Sequence, residues 1–193
     1  MEGVEDFRFF LALHGEASRE RVRARFPALA PLLRALGEEL VVQGETFRLA
    51  RPLRLSWFAP LFRERYPLLP EGERALALER LLEAAFASAE AGEPLVEGEG
   101  LLRAARAFQE GSQALLQGDA RTALHRYGEG LGLLEQAGLP FPASALALLA
   151  LAQEAFRPGG KGKETAKKAL ARAQTPFAKE MAAQLLKAEG PSA

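Results

Sequence analysis

The stretch that most restricts the fold is "GEELVVQGETFRLARPLRL", Gly37 to Leu55, in a chain that otherwise carries helical periodicity. Placing a two-residue loop at Gly44-Glu45 sets Gln43 opposite Thr46, Val42 opposite Phe47, Val41 opposite Arg48 and Leu40 opposite Leu49. Side chains alternate between the faces of a strand. Leu40, Val42, Phe47 and Leu49 therefore share one face, and Val41, Gln43, Thr46 and Arg48 share the other. A slip by one residue would scatter the apolar set, so the pattern predicts the register. Glycine at the first loop position suits a type II′ turn. An isolated hairpin is only marginally stable in water, so the apolar face must lie on helices.

Those helices are expected just upstream. Val4 to His14 places Val4, Phe7, Phe10 and Leu11 at helical spacing, and Gly15 ends the run. Ser18 suits the N-cap of a second helix, Arg19 to Phe26, which Pro27 stops. A third fits Leu29 to Leu36, with Pro31 in its first turn and Gly37 at its end. Three helices followed by a two-stranded ribbon is the order of a winged helix-turn-helix. In DNA-binding versions of such folds a helix enters the major groove. The candidate DNA contacts are Arg19, Arg21, Arg23 and Arg25 on the second helix, Arg34 on the third, and Gln43, Thr46 and Arg48 on the open face of the wing. Arg19 and Arg23 are one turn apart, as are Arg21 and Arg25, a spacing that can line a phosphate-facing side. The third helix, "ALAPLLRALG", offers a base only Arg34.

Charge follows the same division. Eight arginines stand against four glutamates between Ala17 and Leu55. The middle of the chain is acidic, and the segment from Arg157 onward is basic and holds every lysine. Zones of different sign point to surfaces with different partners.

Downstream, Ser56 is expected to cap a helix from Trp57 to Arg65, and a longer helix spans Glu71 to Ala91 with Leu76, Leu78, Leu81, Leu82 and Phe86 as its apolar set. "GEPLVEGEG" is a loop. Leu101 to Gly138 then reads as two antiparallel helices joined at Gly118-Asp119, where Asp119 caps the second. Gly111 and Ala123 allow close approach, and Tyr127 and Leu131 fill the groove, the layout of a tetratricopeptide-like hairpin. The proline expected at the end of such a hairpin is absent, but Pro140 and Pro142 follow shortly. A looser unit completes the chain. It comprises Ser144 to Phe156, the turn "RPGGKGK", Glu164 to Gln174 with Ala166, Leu170 and Ala173 in a small-large-small rhythm, and a last helix from Pro176 to about Glu189 capped by Thr175.

The fold class expected is therefore mainly α. A winged helix-turn-helix with one β-hairpin (residues 1–55) precedes tetratricopeptide-like helical hairpins (residues 56–193). "SRERVRARFP", "LLRALGEELVVQGETFRLARPLRL" and "SWFAPLF" resemble the DNA-binding half of bacterial regulators of the antibiotic-regulatory-protein type. "AGEPLVEGEGLLRAARAFQEGSQALLQGDARTALHRYGEGLGLL" is similar to the bacterial transcriptional activator domain that follows it in that family. The resemblance covers roughly Asp6 to Gly138. It implies a regulator that binds duplex DNA through the winged helix and a partner protein, or a second copy, through the helical hairpins. Arg34 matches a basic position of the family. The segment before "LLRALG" is contracted to "ALAP", so the family's other reading residues have no counterpart. That contraction keeps open an adaptor that uses a degenerate winged helix for protein docking.

Other chemistry finds little support. There is no cysteine. His14 and His125 are far apart in sequence, and no Ser-His-Asp set suggests itself. "PGGKGKET" fails as a phosphate loop, because Arg157 and Glu164 occupy positions that need glycine and a hydroxyl. Neither an enzyme nor a cofactor or metal is expected. No apolar run approaches the roughly 18 residues of a membrane span, and "MEGVEDFRFF" lacks a secretion-signal layout. The expectation is a soluble cytoplasmic protein.

Overall fold

A computed structural model describes residues 3–187. The protein is mainly α with one small antiparallel sheet near its N-terminus. Helix α1 (Val4–His14) buries Phe7, Phe9, Leu11, Ala12 and Leu13 and ends at Gly15, whose φ of 72° places it in the left-handed region. Strand β1 (Glu16–Ser18) follows and was not foreseen. Ser18 then caps α2 (Arg19–Arg25), its Oγ accepting the Arg21 N–H at 3.2 Å. Helix α3 (Leu29–Leu36) buries Leu29, Leu32 and Leu36.

The hairpin β2 (Leu40–Gln43) and β3 (Thr46–Leu49) has the predicted register, Leu40 to Leu49 through Gln43 to Thr46. Gly44 has φ of 61° and no non-glycine residue among the described residues has a positive φ, which fits a turn with only its first loop residue left-handed. Strand β1 pairs on the other side, Glu16 with Arg48 and Ser18 with Thr46, giving the order β1-β3-β2. The apolar face is less uniform than its pattern. Phe47 and Leu49 are buried and Leu40 half-buried, but Val42 is 49% exposed. It sits near the free end of the edge strand, beyond the reach of the supporting helices.

Helix α4 (Leu55–Arg65) begins two residues before the expected start. Ser56 does not cap it. The Leu55 N–H goes instead to the buried hydroxyl of Ser88, at 2.8 Å, on α5 (Glu71–Glu90). Helix α5 is enclosed on most sides, so its buried set includes Ala77, Glu79 and Glu83 beside the expected leucines, while Leu76 is only half-buried. Helices α6 (Leu101–Leu116) and α7 (Ala120–Gln136) form the hairpin, with Asp119 accepting the Thr122 N–H at 3.1 Å as the cap. Gln109, fully buried on α6, fastens the preceding loop: Oε1 accepts the Val96 N–H, and Nε2 donates to the Glu93 and Pro94 carbonyls.

Helices α8 (Ala143–Phe156), α9 (Gly162–Arg172) and α10 (Pro176–Lys187) complete the described fold. The expected end of α10 near Glu189 lies outside the described residues. Ser144, at the start of α8, is buried and donates its hydroxyl to the Glu79 carbonyl at 2.9 Å. Thr175 accepts the Ala178 N–H at 3.3 Å, as expected of a cap. The small residues that bring α9 onto α8 are Gly162, Ala166 and Ala169, not Ala166 and Ala173 around Leu170, which is 40% exposed. One buried core runs from Phe7 through Phe58 and α5 to Ala152, crossing residue 55 without a break.

Close approach within the α6–α7 hairpin depends on two glycines. A Cβ on Gly111 would stand 2.6 Å from the Tyr127 ring, and one on Gly130 would stand 2.5 Å from the Phe108 ring. These rings stack with centroids 5.0 Å apart, and the Tyr127 hydroxyl bonds Ser112 at 2.8 Å, so neither can yield easily. Gly130→Ala is expected to destabilise by roughly 1–3 kcal/mol through overpacking. Gly128→Ala, with open space around it, should stabilise by up to about 1 kcal/mol through helix propensity. Urea denaturation of the two variants checks this; equal effects would refute the packing account.

Candidate nucleic-acid interface

Val22 is fully buried and defines the inner edge of α2. With 3.6 residues per turn, the two arginine rows fall on opposite flanks of that edge rather than on one face. Arg19 and Arg23 lie on the hairpin side. The Arg19 guanidinium sits 5.0 Å from the Phe47 ring centroid, and its Nε is 3.5 Å from a Glu45 carboxylate oxygen. The Arg19 N–H also donates to the Glu45 carbonyl at 2.7 Å, tying the start of α2 to the wing tip. Arg23 is exposed and has no partner among the described residues.

Arg21 and Arg25 lie on the flank toward α1. An Arg21 Nη donates to His14 Nδ1 at 3.2 Å, since a guanidinium only donates. That assigns the proton of a neutral His14 to Nε2, a buried atom with no partner. Burial, then the charges of Arg21 and Arg80, lowers the His14 pKa to about 4. The Arg25 guanidinium lies 5.0 Å from the Phe26 ring centroid and lines a small cleft with Asp6, Arg65 and Glu73.

The outward face of α3 carries Ala30, Arg34 and Ala35, and Arg34 has no partner among the described residues. On the open face of the sheet, the register aligns Gln43, Thr46 and Ser18 in one row and Val41, Arg48 and Glu16 in the next. Gln43 and Arg48 are exposed, while Thr46 is half-buried on the central strand and donates its hydroxyl to the Gln43 carbonyl at 2.9 Å. Arg48 reaches only the Leu49 carbonyl, at 3.5 Å. The predicted residues thus fall in three places: Arg19, Arg23, Gln43, Thr46 and Arg48 around the hairpin, Arg21 with Arg25 beside α1, and Arg34 alone on the outward face of α3.

Two features were invisible in sequence. Glu39 is clamped by Arg8, at 2.8 Å, and by Arg51, which removes Arg51 from the uncompensated cations. These two guanidiniums hold the Glu39 carboxyl below the usual range, Arg8 most strongly. The second is the pair of buried carboxylates on α5. Glu79 accepts from the Gln174 N–H at 3.3 Å and the Thr175 hydroxyl at 3.2 Å. Glu83 accepts from Arg80 at 3.2 Å, and its other oxygen is buried without a partner. Burial raises the Glu79 pKa and pushes that of Glu83 up to about 7. The helical spacing of Glu79 and Glu83 places both on one face, but only the neighbours across that face reveal that it is buried.

No protein-family model, curated protein or solved structure matches the chain.

Glu83 makes stability depend on pH. Its folded-state pKa lies above the unfolded value of 4.5, so the stability it contributes is full below that value and is lost as pH rises through about 7. Glu83→Gln mimics the protonated form. It is expected to match wild type near pH 5 and to exceed it near pH 8 by on the order of 1–3 kcal/mol. Thermal melts at the two pH values test this, and a variant less stable than wild type near pH 8 would overturn it.

Proposed function

We propose that the chain is a transcription regulator whose winged helix binds duplex DNA chiefly through phosphates, with the helical hairpins serving a protein partner or a second copy. The observation that carries the reading is that Arg23, Arg34 and Arg48 are exposed and have no acidic partner among the described residues. They stand on α2, α3 and the hairpin, the three elements that such a fold can bring to a duplex. Cations of this kind release counterions from DNA and bind it with little regard to sequence. Gln43 adds a hydrogen-bonding side chain near the wing tip, and Arg19 adds a cation shared with Glu45. Base reading is limited to what Arg34 supplies, because its exposed neighbours on α3 are alanines. The resemblance to antibiotic-regulatory-protein type regulators agrees with this arrangement.

The alanine face of α3 also favours a second reading, an adaptor in which the winged helix docks a protein. The two readings separate in one experiment. Fluorescence anisotropy on a random-sequence duplex is expected to show binding at about 50 mM salt that collapses at about 200 mM. The combined Arg23→Ala, Arg34→Ala and Arg48→Ala variant should flatten the salt slope by about 3. Glu45→Gln, which removes the acid at the wing tip, should tighten binding. No binding at low salt would remove the DNA reading and leave the adaptor.

A further inference from the structure

The proline-bearing connection between α7 and α8 has a consequence independent of the DNA reading. It walls a cavity of about 410 Å³ with the first half of α5 and the α9–α10 turn. That volume is in the range of small-molecule sites. Leu78, Phe141 and Tyr66 supply the apolar lining. Arg74 and Arg172 supply charge at the same cavity.

Arg74 is held in place before any ligand arrives. Its Nε donates to the Leu69 carbonyl and one Nη to the Pro67 carbonyl, both at 3.1 Å, and its guanidinium lies 5.6 Å from the Tyr66 ring centroid. The second Nη has no partner among the described residues. Arg172, in the last turn of α9, is exposed, and its side chain makes no hydrogen bond or ion pair among the described residues. The cavity also touches two carboxylates, neither of which neutralises these arginines. Glu79 is engaged by the α9–α10 turn through Gln174 and Thr175. Glu71 stands exposed at the start of α5, where helix amides favour a negative charge.

We propose that this cavity binds a small organic acid, an aromatic or branched aliphatic carboxylate, with its body against Leu78 and Phe141 and its carboxylate on Arg74 and Arg172. A guanidinium already fixed by backbone carbonyls loses little freedom on binding an anion. The same geometry gives an amine no free acceptor of comparable preorganisation.

The test is calorimetric titration of the full chain with phenylpropionate, indoleacetate and isocaproate, each beside its neutral amide. At least one acid is expected to bind about tenfold or more tightly than its amide, since the charge-assisted bonds are lost in the amide. Arg172→Ala should weaken the acid, and Arg74→Ala with Arg172→Ala together should reduce it to the level of the amide. Ala75→Trp, at an exposed position on the cavity lining, should abolish binding without altering the core. Equal binding of acid and amide would overturn the proposal, as would binding that survives both the double arginine variant and Ala75→Trp or no binding by any acid at about 5 mM. None of these outcomes depends on whether the protein binds DNA.

Discussion

The guanidinium of Arg80 is the contact by which the end of α1 is fixed to α5, the helix that the rest of the fold packs against. Its Nε donates to the Leu13 carbonyl at the end of α1, at 2.8 Å, and an Nη donates to Glu83 at 3.2 Å. Its side chain is largely buried, so each donor that lost its acceptor would carry a large desolvation cost. Gly15 makes room for it: a Cβ there would stand 2.8 Å from an Arg80 Nη, on a backbone already at φ of 72°. The same glycine ends α1 and lets the chain turn into β1. A side chain at position 15 would therefore disturb the helix end, the strand pairing and the buried charge together.

From Arg80 the dependence spreads along α5. One residue before Arg80, Glu79 receives the α9–α10 turn through its carboxylate and α8 through its carbonyl. Toward the other end, Ser88 receives the first amide of α4. Phe58 of α4 stacks on Phe9 of α1 with centroids 5.6 Å apart. Helix α5 is thus the common support for the winged helix and the helical hairpins. Two of its buried polar groups, Glu79 and Ser88, serve a turn and a helix start that arrive from far away in sequence.

This explains which parts of the fold could be read in advance. The hairpin register, the stops at Gly15 and Gly37, and the caps by Ser18 and Asp119 follow from a few neighbouring residues, and the structure has them. Strand β1 is three residues long, too short for a periodicity to emerge, and it exists because β3 offers it an edge. Ser56 and Ser144 have the right chemistry for caps at helix starts. Leu55 nevertheless takes the Ser88 hydroxyl, and Ser144 turns inward to Glu79, because partners more than sixty residues away in one case and thirty in the other compete for them. Val42 shows the converse: its strand parity is right, but no helix reaches far enough to cover it. The candidate interface was legible as a list of arginines and not as a geometry, since only the fold decides which flank of α2 faces the hairpin.

The division of α2 matters for what the winged helix can do. Cations on one flank attract a polyanion to the extent that they are not already engaged within the fold. Here Arg21 spends a donor on His14 and Arg25 packs on Phe26, so that flank braces the fold. The hairpin flank retains Arg23, and across the sheet Arg48 stands beside Glu16 without an ion pair among the described residues. Helix α3 has eight residues, about 12 Å of length, and the major groove of B-DNA is wide enough to admit an α-helix. A helix of that length whose outward face is alanine around one arginine can enter a groove closely, because small side chains hold nothing off. In a groove it would gain discrimination only from Arg34 and from apolar contact with thymine methyl groups. If the proposed binding to a duplex holds, shape and phosphate contact are the main resources of this surface, and a partner on the helical hairpins would be the natural source of any further selectivity.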